Sequence, residues 1–220
     1  MVDEYLSETE QAEQLKRWLR ENWIWMVAGI ALTLGGFYGW RWWESHRADR
    51  AVEAETRFAT MVDALARNQR DEGVRIAGEL TGQYADTPYA DQATLVLARL
   101  DVESGNLQQA GDRLVQVMES SDDPELRLVA RLRLARVQLA QAQYDAALAT
   151  LAGAGEASVE ARVAELRGDV LYAKGDRTAA LEAYRQAQAA ADAAGPGAEL
   201  LDAQLLGLKI DELAAAAATE

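Results

Sequence analysis

The sequence predicts an all-α chain. A single N-terminal transmembrane helix is followed by a solenoid of helical hairpins with a C-terminal capping helix. Three observations predict it. Asn22 to Trp40 is a run of nineteen residues without a charge, bounded by Glu21 and Arg41. Beyond it, four alanine-centred segments recur at spacings of 33, 37 and 33 residues. After Gly195, Pro196 and Gly197, a last leucine-bearing stretch has one apolar side.

The uncharged run would span roughly 28 Å as a helix, close to the ~30 Å hydrocarbon core of a bilayer. All six tryptophans lie at or near its ends: Trp18, Trp23, Trp25, Trp40, Trp42 and Trp43. Indole rings favour the headgroup boundary, where the ring stays apolar and its N–H meets water. The run ends in Trp40, Arg41, Trp42 and Trp43 rather than in small residues, so a signal peptidase has no suitable site. The expected segments are therefore a tail over 1–21 and a membrane helix over 22–43. A repeat domain of about four hairpins over 44–197 and a capping helix with a frayed end over 198–220 follow.

Basic residues do not orient the anchor, because Lys16, Arg17 and Arg20 before it balance Arg41, Arg47 and Arg50 after it. A short tail and a long following domain favour a cytoplasmic N-terminus and an exported C-terminal domain. The tail itself reads as helical. Ser7 and Glu10 make a capping box, and Ala12, Leu15, Trp18 and Leu19 share a face. Within the anchor, Ala31, Gly35 and Gly39 stack four apart, a spacing that lets a second helix approach closely in lipid.

Composition changes after Trp43. From Arg47 to Arg67 a helix is expected, with Val52, Phe58 or Ala59, Val62 and Leu65 turned inward. The segments DEGVRIAGEL, ESGNLQQAGDRL, QAQYDAALATL and AKGDRTAALEAY then superimpose on Ala77, Ala110, Ala147 and Ala180. Their period is close to the ~34 residues of a tetratricopeptide repeat. Gly105 and Gly175 occupy the turn of their hairpins, where a left-handed backbone suits glycine. Leu114, Leu151 and Tyr184 fall one turn beyond the alanine. Leu97–Ala98, Leu134–Ala135 and Arg167–Gly168 fall where the first helix must be small for its partner to cross. Pro88 and Pro124 mark the joins between repeats. One feature departs from the pattern: the aromatic expected in the first helix is Asp101, Gln138 and Leu171 in turn. In the last helix, Leu200, Leu201, Leu205, Leu208 and Leu213 form the expected apolar side.

No motif supports an enzyme. Phosphate-cradling glycine loops, CxxC, HExxH and GxSxG are all missing from the sequence, and His46 is its single histidine. His46, beside Trp43 and Glu44, is expected to be structural. A net charge of −14 gives no footprint for nucleic acid, and cysteine is absent. No cofactor is expected. Repeat solenoids of this type bind polypeptides.

Four stretches taken together resemble the YfgM-like family, the ancillary subunits of the bacterial Sec translocon. They are QLKRWLRENW at Gln14–Trp23, the glycine-rich anchor, GWRWWESHR at Gly39–Arg47, and QYADTPYADQATLVLARLDVESGNLQQA at Gln83–Ala110. The resemblance covers nearly the full length. It implies a single-pass protein of the bacterial inner membrane with its C-terminal domain in the periplasm. It further implies association with the Sec translocon and with a membrane-anchored periplasmic prolyl isomerase, and the passing of exported client polypeptides toward folding factors. It brings no catalytic residues. The alternative is a structural scaffold that joins envelope complexes without binding client chains.

In tetratricopeptide folds the first helices of successive hairpins line the concave surface. Counting from the repeat alanines places Gln92, Leu95, Arg99 and Val102 there from one hairpin. Val129, Leu132, Arg136 and Leu139 come from the next, and Arg162, Glu165, Asp169 and Tyr172 from the last. Leu95, Val102, Leu132, Leu139 and Tyr172 are the expected apolar footholds, and Arg99 and Arg136 the donors to carbonyls or carboxylates.

Overall fold

The computed structural model describes residues 8–154, 159–194 and 202–217, and among them all regular structure is helical. The helices are α1 (Glu8–Ala66), α2 (Arg70–Gln83), α3 (Pro88–Glu103), α4 (Leu107–Ser120), α5 (Pro124–Ala140), α6 (Tyr144–Ala152), α7 (Glu160–Lys174), α8 (Arg177–Ala194) and α9 (Ala203–Ala217). The chain divides into two compact units, Met1–Val52 and Glu53–Glu220.

In the first unit, the apolar part of α1 is the one described helix long and apolar enough to cross a membrane, and none of its most apolar window is buried in protein. Polar groups along it are satisfied locally, as hydrocarbon demands. Thr33 Oγ1 donates to the Gly29 carbonyl at 2.8 Å, and Asn22 Nδ2 donates to the Trp18 carbonyl at 2.9 Å. At the exit end Trp40 and Trp43 lie 5.6 Å apart, the Arg47 guanidinium sits 4.7 Å from the Trp43 ring centre, and His46 stacks on Trp42 at 5.7 Å. The Ser7–Glu10 capping box and the Ala12 and Leu15 side chains lie outside the described residues.

In the second unit, four hairpins share one turn. After each first helix a residue takes the left-handed conformation: Asn68 (φ 59°), Gly105 (77°), Ala142 (59°) and Gly175 (95°). The next amide donates to the carbonyl five residues back, closing the helix end. These bonds are Gln69 to Ala64 at 2.9 Å, Asn106 to Asp101 at 2.8 Å, Gln143 to Gln138 at 2.8 Å and Asp176 to Leu171 at 3.0 Å. Pro88 and Pro124 are the first residues of α3 and α5, where a missing N–H costs nothing. Asp123 caps α5 by accepting from the Glu125 and Leu126 amides.

The repeat alanines Ala77, Ala110, Ala147 and Ala180 are all fully buried. Facing sizes compensate across the hairpins. Ala98 shares a cluster with Leu114, and Ala135 shares one with Leu151. The larger Tyr184 lies against the smaller Gly168, so close that a Cβ there would overlap its ring. The lost aromatic position is also explained. Asp101 pairs with Arg113 at 2.7 Å, and Gln138 accepts from Thr150 Oγ1 at 2.8 Å. Each partner is twelve residues on, in the second helix of the same hairpin, so a polar pair holds α3 to α4 and α5 to α6. Leu171 instead packs on the apolar cluster that holds Ala180 and Tyr184 of α8.

Two registers differ from expectation. In α1 the inward residues are Ala54, Met61 and Ala64, with Phe58 and Leu65 packed beside them, whereas Val52, Ala59 and Val62 are exposed. Met61 and Val62 are neighbours of similar hydrophobicity, and the hairpin contact with α2 and α3 selects between them. In α9 the buried residues are Leu206 and Leu213, with Ile210 beside them, while Leu205 and Leu208 are exposed. Leu200 and Leu201 lie outside the described residues. The helix continues to Ala217, into the stretch expected to fray.

Candidate functional site

The first helices α3, α5 and α7 lie side by side, α3 against α5 and α5 against α7. They present one face whose residues divide into three groups. Leu95 is 5% exposed and belongs to the core with Ala98, Leu114 and Leu134. It is not a foothold, because the packing of α5 on α3 covers it. Gln92 is half-buried, Val129 is half-buried against the same cluster, and Leu132 and Leu139 are half-buried against the next. Arg99, Val102, Arg136 and Tyr172 are exposed.

The last hairpin contributes a closed polar cluster instead of an open surface. Glu165 is only 8% exposed and pairs with Arg162 at 3.2 Å on its own helix. Lys209, from α9, reaches Glu165 at 3.2 Å and Asp169 at 2.7 Å. The Tyr184 hydroxyl donates to the same Asp169 oxygen at 2.8 Å. Burial alone would push the Lys209 ammonium down, but the hydrogen bonds and charges of Asp169 and Glu165 outweigh it and hold it above its ordinary value. Burial, and then the hydrogen bond to Asp169, push the Tyr184 phenol well up. A small cavity of about 200 Å³ remains here, lined by Asp169, Tyr172, Tyr184, Lys209, Glu212 and Leu213.

The open part of the face is a pocket of about 320 Å³ between α3, α4 and α5. Its floor is Ala98, Val102, Leu107, Leu114, Val137 and Ala140, and its rim is Arg99, Arg133 and Arg136. Arg133 was not expected from the repeat count. Its signal is the spacing of three to Arg136, which places both guanidinium groups on one side of α5. Arg133 donates weakly to the Leu95 carbonyl at 3.5 Å, and Arg99 pairs with Glu103 at 3.4 Å. Surrounding protein, and then the charge of Arg99, push the Arg133 guanidinium below its usual range. Surrounding protein, and then the charge of Arg162, do the same for Arg136. Both side chains are still touched by solvent. Among the described residues no group of three or more His, Cys, Asp or Glu side chains is placed to hold a metal ion.

A tetratricopeptide repeat-like domain model matches residues 16–215. The ancillary SecYEG translocon subunit of Escherichia coli (strain K12) is 36% identical over 82% of this chain and 86% of its own. The protein of that name in Haemophilus influenzae is 32% identical, over 83% and 89% respectively. The chain belongs to the ancillary SecYEG translocon subunit family. The Neisseria gonorrhoeae member is 29% identical over 93% of this chain and 99% of its own, so the likeness takes in both the membrane helix and the repeats. The solved structure titled MamA RS-1 ArsTM double mutant shares the fold, with a TM-score of 0.52 and 18% identity over 76% of this chain and 97% of its own. The apolar part of α1 and this membership fit an inner-membrane protein. Ala31, Gly35 and Gly39 are exposed along α1. Added Cβ atoms at the two glycines would meet nothing within 4 Å.

Proposed function

We propose that this chain is a non-catalytic adaptor of the Sec translocon that helps pass newly exported chains to periplasmic folding factors. The observation that carries the reading is the match to proteins named ancillary SecYEG translocon subunit, which runs across the membrane helix and the repeats alike. Residues 22–43 anchor it, residues 1–21 face the cytoplasm, and residues 44–220 lie in the periplasm. A membrane-anchored prolyl isomerase is the folding factor it meets. The face around Arg99, Arg136 and Val102 receives polypeptide, because apolar and guanidinium groups alternate there within reach of an extended backbone. The Ala31, Gly35 and Gly39 side of the anchor packs on a partner helix.

The test is a pull-down from membranes in mild detergent, with a photo-crosslinking residue in place of Val102 or Tyr172. Translocon subunits, the isomerase and exporting chains are expected among the products. Recovery of none of them defeats the adaptor reading. An export-dependent reporter fused at Glu220 should be active, and a silent fusion would reverse the orientation. The scaffold reading draws on one specific observation. Lys209 of α9 already occupies Glu165 and Asp169, which shortens the open face. Crosslinks to folded partners alone, with none to exporting chains, would favour the scaffold.

A further inference from the structure

We propose that the pocket between α3, α4 and α5 takes one apolar side chain of an acidic peptide segment whose carboxylates reach Arg133 and Arg136. The inference rests on the reading of this face as a polypeptide-binding surface and adds the chemistry of the ligand. Its first ground is charge. The chain carries −14 overall, yet Arg99, Arg133 and Arg136 ring one apolar pocket and Arg162 follows on α7. Among the described residues no carboxylate forms an ion pair with Arg133 or Arg136, whereas Arg99 has Glu103 and Arg162 has Glu165. The acids nearest Arg136 along α7 are committed elsewhere, Glu165 and Asp169 to Lys209 and Asp169 also to Tyr184. The charges of Glu165 and Asp169 still act on Arg136 from α7, but neither acid pairs with it, so an incoming carboxylate meets guanidinium donors without an ion-pair partner.

The second ground is shape. The pocket floor is made wholly of Ala, Val and Leu side chains, and at about 320 Å³ it lies at the small end of binding cavities, ~300–1,000 Å³. It fits one or two peptide side chains better than a long acyl chain. Arg133 and Arg136 are one helical turn apart, so neighbouring carboxylates on an extended segment can each find a planar fork of donors. Exposed Val102, at 42% exposure, continues the apolar surface to the rim. A ligand of this kind gains from burying its apolar side chain and from charge-assisted hydrogen bonds together. A neutral apolar segment would gain only the first.

Full-length protein in nanodiscs tests this by fluorescence anisotropy. The probe is a short fluorescein-labelled peptide with Leu and Phe set among Glu and Asp, compared with the same peptide carrying Gln and Asn. The acidic peptide should bind about tenfold or more tightly than its amide counterpart, and added salt should narrow the gap. Arg133→Gln and Arg136→Gln should each weaken the acidic peptide about tenfold, and Val102→Trp should weaken it by filling the pocket. Arg185→Gln, an exposed change on α8, should leave it unchanged. Equal binding of the two peptides overturns the inference, as does unaltered binding by the Arg133 and Arg136 variants. Binding of dodecanoate, with no binding of the acidic peptide, overturns it in favour of a lipid. Translocon recovery by the same variants is measured separately. If recovery persists while the acidic peptide never binds, the adaptor reading stands and the acidic ligand falls.

Discussion

Lys209 Nζ of α9 stands 2.7 Å from Asp169 Oδ1 of α7, so the last helix is fastened to a helix of the preceding hairpin by charge as well as by apolar contact. Lys209→Met keeps the stem and removes the ammonium, leaving Asp169 with the Tyr184 hydroxyl and Glu165 with Arg162. The pair is only partly buried, so the expected cost is about 1–2 kcal/mol, below that of a fully buried pair. Amide hydrogen exchange on the full-length protein should show α9 opening faster while α3 and α4 keep their protection. Uniform acceleration along the whole chain would mean the contact belongs to the global fold and not to the cap.

Alkaline pH should loosen the same region. Burial and the Asp169 hydrogen bond raise the folded Tyr184 phenol above its ordinary 10.0. Below that ordinary value both states keep the proton and the contribution is whole. Above it the unfolded phenol ionises first, so stability is lost as pH climbs toward the folded value. Lys209 is raised above its ordinary 10.5, and its contribution fades in the same direction. Melting followed by circular dichroism should fall between about pH 9 and pH 11, and Tyr184→Phe should reduce that fall without abolishing it. An identical fall in the variant would remove Tyr184 as its source.

Much of this architecture is legible in the sequence because it rests on small residues at fixed places. Ala77, Ala110, Ala147 and Ala180 are readable because a helix crossing tolerates little else, and Gly105 and Gly175 because the turn is left-handed. The turn of the first hairpin uses Asn68 in place of glycine, yet its backbone matches the others. What periodicity cannot choose is one of two adjacent apolar residues, as with Met61 over Val62 and Leu206 over Leu205. Helical spacing fixes a face only to within one residue, and the partner helix settles the rest. The candidate site was half legible. Arg99, Val102 and Arg136 come from counting and Arg133 lies within reach of its spacing to Arg136, whereas the rest of the pocket floor is assembled only when α3, α4 and α5 meet.

Exchanging glycine and alanine at two positions should have opposite effects. Gly168→Ala places a methyl group into the Tyr184 ring, which is itself held by Asp169, and should destabilise by about 1–3 kcal/mol. Ala142→Gly relieves a left-handed alanine in the turn between α5 and α6 and should stabilise by up to about 1 kcal/mol. Thermal unfolding of the two single variants and the double variant checks both signs. A stabilising Gly168→Ala would show that Tyr184 has another place to go.

The final prediction separates the two registers of α9. Leu206 is 2% exposed and packs with Tyr184, Ala187 and Leu213, whereas Leu208 is 61% exposed. Leu206→Ala opens a cavity under the cap and should cost about 2–4 kcal/mol. Leu208→Ala touches little and should stay within about 0.5 kcal/mol of the parent protein. The contrast holds helix propensity constant, since each change replaces leucine with alanine in the same helix. Any difference between them must come from what each side chain meets. Denaturant unfolding of the full-length protein in detergent gives both values, and exchange protection in α8 shows whether the loss reaches the neighbouring hairpin. Because each repeat buries its apolar face mainly on its neighbours, loosening at Leu206 should spread first to α8 and only later to α5. If Leu208→Ala proves the costlier change, the leucine side read from the sequence is the packed one and the cap is turned by roughly half a turn.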